Sequence, residues 1–207
     1  MICLSEREVG FDRDTIGFPS LHGCHAIVYE TKKGLFGFHS YGGSTKAQWE
    51  QRATTFNQFV REHRFGFGRG TRLYGACYPA IRGYSEPQRD NWKGELKAFC
   101  DALAFSVGLG GLRLLPGRIR ALELREADDP PPVYIEFRRE GDKCAVFVQM
   151  QSQVAETRGT NISGRDRRYV ATRSGGVTTL EGRTGQVVQR VMATGLRRVH
   201  SSRFSFL

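Results

Sequence analysis

Long apolar runs are missing from this chain. No stretch approaches the roughly eighteen apolar residues that a membrane-spanning helix needs. The opening segment carries Glu6, Arg7 and Glu8 and lacks the apolar core of a secretory signal, so the expectation is a chain that folds as a soluble protein without a membrane span. Paired cysteines are missing too. Cys3, Cys24, Cys77, Cys100 and Cys144 are odd in number, scattered, and never in CxxC spacing, which argues against a disulfide framework and a structural zinc site. Paired acidic residues suited to glycosidase chemistry are not evident, and there is no internal repeat. Phe65-Gly66-Phe67-Gly68-Arg69-Gly70 is glycine-rich, but it follows a helical pattern instead of opening one and has no lysine–threonine partner. It fails the context of a phosphate loop and reads as a turn.

What is present is enough for one sizeable core within 207 residues. Charge is uneven. Residues 1–150 hold 21 basic and 18 acidic residues, a difference of +3, whereas residues 151–207 hold 10 arginines against 3 acidic residues, a difference of +7. The reading is a folded unit over 1–150 followed by a basic Arg/Gly/Ser/Thr-rich extension over 151–207, partly ordered and packed on the same domain. A basic segment favours an acidic partner surface or nucleic acid. The arginines are dispersed, however, and few aromatics alternate with them for base stacking, so most suit a solvated surface.

The feature that carries chemistry is Ser20-Leu21-His22-Gly23-Cys24 with His39 fifteen positions beyond the cysteine. Cys24 to Glu30 reads as a strand, Thr31 to Gly34 as a turn and Leu35 to Tyr41 as the antiparallel partner. That hairpin sets Cys24 opposite His39. A free thiol has a pKa near ~8.5 and is mostly protonated at neutral pH, whereas a neighbouring imidazolium lowers it to roughly 3.5–7.5. The thiolate then attacks an acyl carbon and the histidine returns a proton to the leaving amine. Gly23 provides backbone freedom and room beside the sulfur, and the backbone N–H groups at Gly23 and Cys24 are candidates for an oxyanion hole. His22 and His25 flank the cysteine and are placed to tune it electrostatically. As His-x-x-His they also have the spacing of a ligand pair, but no carboxylate cluster completes a site, and the expectation is no metal and no cofactor. A lone cysteine is more often a small buried apolar residue, which is how Cys77, Cys100 and Cys144 read.

The Ser20–Cys24 segment resembles the L-S-G-C motif of the cytotoxic-necrotizing-factor toxins and the Burkholderia lethal factor, and the G-S-C motif of the CheD-like chemoreceptor glutamine deamidases. The resemblance covers about residues 15–140, and Leu21, Gly23, Cys24 and His39 carry its specific identity. It implies a cysteine-dependent protein glutamine deamidase, with Cys24 as nucleophile and His39 as base then acid. It also implies a target protein bearing the glutamine, and a bacterial effector made in the cytoplasm and delivered into a target cell without a classical signal peptide. Two positions depart from the family pattern. His22 stands where the toxins have serine, and Phe18 stands where a threonine orients the histidine. The orienting group must then be another side chain, Ser20 by preference or Thr15, or a backbone carbonyl as in the necrotizing-factor type.

The fold expected is α/β (α+β), a layered sandwich with a central, mostly antiparallel sheet and two main helices. Ile2–Val9 and Thr15–Leu21 are candidate strands. The first helix runs from Ser44, as N-cap, to His63, with Trp49, Ala53, Phe56, Phe59 and Val60 on one face and Arg52 among the polar residues of the other. Thr71–Tyr78 is a strand and Gln88–Ser106 a second helix, ended by Gly108-Leu109-Gly110-Gly111. Arg113–Glu126 reads as strand, Asp128–Pro132 as a surface loop, and Val133–Phe137 with Lys143–Met150 as a hairpin. Val154–Gly176 looks loop-like apart from a brief strand at Tyr169–Thr172, Gln186–Val199 is drawn as a short helix, and Phe204–Leu207 as an edge strand. Three rival functions remain at this point. A transglutaminase uses the same dyad with an amine in place of water. A non-enzymatic basic module binds nucleic acid or an acidic partner. A papain-like protease is disfavoured because its histidine lies far downstream of the cysteine.

Overall fold

A computed structural model describes residues 1–4, 6, 8–40, 45–63, 70–78, 91–104, 109–113, 132–150, 154–160, 169–171, 187–193 and 196–203. In chain order the elements are β1 (Ile2–Cys3), β2 (Val9–Asp12), β3 (Thr15–Leu21), β4 (His25–Thr31), β5 (Gly34–Ser40), α1 (Lys46–His63), β6 (Gly70–Cys77) and α2 (Asn91–Ala102). They continue with β7 (Leu109–Arg113), β8 (Val133–Glu140), β9 (Lys143–Met150), β10 (Val154–Thr160), β11 (Tyr169–Ala171), β12 (Val187–Ala193), β13 (Arg197–Val199) and β14 (Ser202–Arg203).

Two sheets and a helical layer make the α+β sandwich that the sequence pattern calls for. One sheet has the order β1-β3-β8-β9-β13 and the other β11-β2-β5-β4-β6-β7-β14, while β10 and β12 pair as a separate ribbon. Pairing is antiparallel except at β1–β3 and β6–β7. The larger sheet is covered on both sides. Toward the smaller sheet it presents Ala26, Val28, Leu35, Tyr74, Ala76 and Tyr78, which pack on Ile16, Phe18, Leu21, Val133, Ile135 and Phe137. Toward the helices it presents Ile27, Tyr29, Phe36 and Phe38, packed on Ala53, Phe56, Phe59 and Val60 of α1 and Leu96 and Phe99 of α2. Each valine, leucine, isoleucine or phenylalanine among them, removed from water, contributes about 1.5–3 kcal/mol. Because both faces are covered, every residue of β4 and of β5 is buried, and the polar–apolar alternation of a half-exposed strand is absent.

Local chemistry sets the element ends. Asp12 Oδ1 accepts the N–H groups of Asp14 (2.8 Å) and Thr15 (2.9 Å), folding the β2–β3 turn around one side chain. The N-cap of α1 is Thr45 rather than Ser44. Its Oγ1 accepts from Gln48 N (3.3 Å) while Gln48 Oε1 accepts from Thr45 N (2.9 Å), a reciprocal capping box; Ser44, the expected N-cap, lies outside the described residues. Gly141 turns the β8–β9 hairpin at φ +67°.

Several expectations are corrected. Leu109–Arg113 is a strand and not a helix-ending turn: it pairs in parallel with β6, whose central position gives glycine-rich backbone a ladder to join. The segment drawn as a helix over 186–199 forms β12 and β13. Val187, Val188 and Val191 are β-branched, which favours a pleated backbone once a partner strand exists, here β10. Val154–Thr160, expected as loop, is that partner. The brief strand at 169 is present and adds to β2, while β13 adds to β9 and β14 to β7. Of the described strands in the basic extension, β11, β13 and β14 thus widen the two sheets, while β10 and β12 pair with each other. The expected strand beyond Arg113, the loop at 128–131, the helix start at 88–90 and its end at 105–106, and the tail at 204–207 lie outside the described residues. No helix among the described residues is long and apolar enough to cross a membrane.

Candidate active site

The hairpin that carries Cys24 and His39 is tighter than the sequence reading. β4 begins at His25, the turn is Lys32–Lys33, and β5 runs from Gly34. Its register pairs His25 with Ser40 and Ala26 with His39. Cys24, just before β4, is thus not directly opposite His39 but two residues from Ala26, which is. An even offset preserves the face, since side chains alternate with a period of two. Cys24, Ala26 and His39 all point into the space between the sheets, and Cys24 belongs to that buried cluster.

His39 is oriented by backbone. Its Nδ1 lies 2.7 Å from the carbonyl oxygen of Leu4, and its own N–H donates to Glu8 O at 3.0 Å. A carbonyl only accepts, so in the neutral ring Nδ1 carries the proton and Nε2 holds the lone pair. Phe18 meets the ring edge-on, with centroids 5.7 Å apart. The residue that departs from the deamidase pattern thus holds the imidazole by packing, while Leu4 supplies the hydrogen bond. Ser20, the preferred orienting side chain, is replaced in that role by the Leu4 carbonyl. It is exposed, at the bulge that interrupts β3–β8 pairing between Phe18 and Leu21, and takes a left-handed φ of +54°. That strained backbone was expected of Gly23, yet among the described residues the positive-φ glycine is Gly141. Thr15, the other side chain considered, is at the start of β3, its N–H bound to Asp12.

Access is narrow. Cys24 is 8% exposed and His39 1%, while His22 and Gly23 are half-buried. His22 lies with its ring 6.5 Å from that of Tyr78. His25 does not join it. As the next residue along the strand it faces the helices, with Nδ1 3.0 Å from Glu95 Oε2. Among the described residues no three His, Cys, Asp or Glu side chains converge to hold a metal ion.

That helix-side cluster is a second polar centre. The Ser40 hydroxyl donates to Glu95 Oε1 (2.9 Å), and Arg52 Nη1 donates to Ser40 Oγ (3.5 Å). His25, Ser40 and Glu95 are fully buried and Arg52 nearly so, which corrects the placing of Arg52 on the solvent face. One carboxylate from α2 thereby ties β4 to β5 at the residues adjoining Cys24 and His39. Sequence reading missed Glu95, although a signal was there: it falls three residues after Trp92 and four before Phe99, inside the apolar stripe of α2. It also missed Tyr78, which the strand order places beside Cys24.

The other cysteines differ from Cys24 in setting. Burial pushes the Cys144 thiol up to about 12, assisted by the Glu30 charge, and burial with Asp101 raises Cys100. Cys77 faces the opposite side of the sheet from Cys24, paired with His25. No protein-family profile matches the chain, and no curated protein does.

Proposed function

We propose that this protein is a cysteine-dependent amidohydrolase that converts the side-chain amide of a protein-bound glutamine to a carboxylate. The observation that carries the proposal is the juxtaposition of Cys24 and His39 on one face of β4–β5, with the imidazole tautomer set by the Leu4 carbonyl. In this reading His39 Nε2 takes the Cys24 proton. The thiolate attacks the amide carbon, the carbonyl electron pair moves to oxygen, and N–H groups at Gly23 and Cys24 meet the developing charge. Collapse breaks the C–N bond, and ammonia leaves with the proton from His39. Water, deprotonated by His39, then hydrolyses the thioester to give glutamate and the free thiol.

The narrow approach supports a side-chain substrate over a backbone one. A sulfur reached past His22 and Gly23 suits a thin, extended chain ending in a primary amide, whereas a protease must admit a peptide strand. The resemblance of Ser20–Cys24 and His39 to the toxin-type deamidases favours a bacterial effector. The basic segment 151–207 offers an acidic partner surface a place to dock.

Ammonia release and amide-to-acid mass change on reduced, alkylated casein test the proposal, with Cys24→Ala as control. Release that depends on Cys24 is the expected result, and equal release by the variant would overturn it. A primary-amine probe distinguishes hydrolysis from transglutamination, since incorporation into casein would mean an amine displaces water at the thioester.

A further inference from the structure

β4 is a central strand, with β5 on one side and β6 on the other. On the β6 side the register pairs Ala26 with Ala76 and His25 with Cys77. One step further places Tyr78 across from Cys24. Tyr74, Ala76 and Tyr78 share the inter-sheet cluster with Cys24, Ala26 and Val28, so Tyr78 and His39 approach the cysteine from opposite neighbours on the same face. The Tyr78 ring lies 6.5 Å from that of His22, two residues before Cys24.

The other large buried tyrosines show what makes Tyr78 different. Tyr74 donates to Glu30 Oε2 at 3.2 Å, and Tyr134 donates to Glu136 Oε2 at 2.8 Å. Tyr29 accepts the N–H of Gly70 at 2.9 Å. Tyr78 is 1% exposed, and its hydroxyl has no hydrogen-bond partner among the described residues. A buried hydroxyl left in this state costs stability, and such groups collect where function needs them.

We infer that Tyr78 is a catalytic residue, its hydroxyl donating a hydrogen bond to the carbonyl oxygen of the substrate amide during attack by Cys24. This rests on the reading of Cys24 as nucleophile. As the S–C bond forms and the π electrons move to oxygen, that bond strengthens without proton transfer. Burial holds the phenol well above its ordinary pKa, which keeps it a neutral donor throughout the working range. The site then combines a backbone donor from the Cys24 turn with a side-chain donor from the residue that follows β6, and it selects substrates that carry a carbonyl acceptor at the end of a slender chain.

The test uses the full chain and Tyr78→Phe, which removes one oxygen atom and leaves the ring. The probe is a short peptide with glutamic semialdehyde in place of glutamine, which adds reversibly to a thiol and forms the same tetrahedral oxygen. The expected result is adduct affinity about 10²–10³-fold weaker in the variant, the loss typical of one oxyanion donor. Melting temperature should hold or rise, and the pH profile of Cys24 alkylation should not move. Equal adduct affinity in both proteins overturns the Tyr78 role alone. A shifted alkylation profile overturns it as well, because the hydroxyl would then be serving the sulfur. If the wild type forms no Cys24-dependent adduct, the nucleophile assignment fails and the Tyr78 role falls with it.

Discussion

The two faces of the β4–β5 hairpin hold polar side chains in opposite manners. On the helix side, His25, Ser40, Glu95 and Arg52 are joined by hydrogen bonds into one buried network. On the sheet side, one residue along each strand, Cys24 and His39 lie among apolar neighbours, with the imidazole anchored through Nδ1 to a carbonyl and the Tyr78 hydroxyl lacking a partner among the described residues. Polar groups bound to one another in the core specify structure, because each is costly to leave unmatched. A buried hydroxyl with no partner among the described residues, as at Tyr78, is the kind of group the proposed chemistry would use. The contrast fits the proposal above, in which the helix side holds structure and the sheet side carries the chemistry, although the residues alternate along the same strands.

Breaking the sheet side should affect turnover most. His39→Ala is expected to lower Cys24-dependent ammonia release by about 10²–10⁴-fold, measured at matched folded fraction by circular dichroism. Equal turnover would remove His39 from the chemistry.

Breaking the helix side should affect stability instead. Glu95→Ala leaves His25 and Ser40 buried without the carboxylate they bind, and a loss of about 3–5 kcal/mol is expected from urea unfolding. A loss below about 1 kcal/mol, no more than a single neutral hydrogen bond contributes, would mean that the network does not hold the hairpin.

Gly75→Ala probes the same face by crowding. The added Cβ would lie 2.6 Å from His25 Nε2 and 3.0 Å from Leu96 Cδ1. The expected cost is about 1–3 kcal/mol, visible as a lower urea midpoint with an unchanged slope. Little change would show that the His25 ring has room to shift.

The smallest effect belongs to Glu30, at the far end of β4. Burial raises its carboxyl above the ordinary 4.5, outweighing the hydrogen bond from Tyr74 and the charge of Arg72. The folded state therefore binds this proton more tightly than the unfolded chain, so its contribution is present below about 4.5 and is lost as pH rises through the raised value. Glu30→Gln cannot titrate. Its melting temperature relative to wild type should climb between about pH 4 and about pH 7, and a flat difference would contradict the shift.

Much of the architecture was legible because it is local. The alternation and turn residues of 24–40 specify a hairpin, and the stripes of α1 and α2 specify which helix faces are buried. A β-strand period of two also placed Cys24 and His39 on one face even though the register differs by two residues. The helix expected over 186–199 failed for the opposite reason: short apolar spacing fits helix and strand alike until a partner is known, and β10 and β9 supplied the partners.

The amino-acid order by itself determined the hairpin, the buried stripes and a cysteine–histidine pair sharing a surface, because each depends on neighbours a few residues apart. Only the tertiary structure decided that Leu4 orients His39, that Glu95 reaches His25 and Ser40, and that Tyr78 stands beside Cys24. Those contacts join positions tens of residues apart. Strand order brings them together, and no local periodicity encodes strand order.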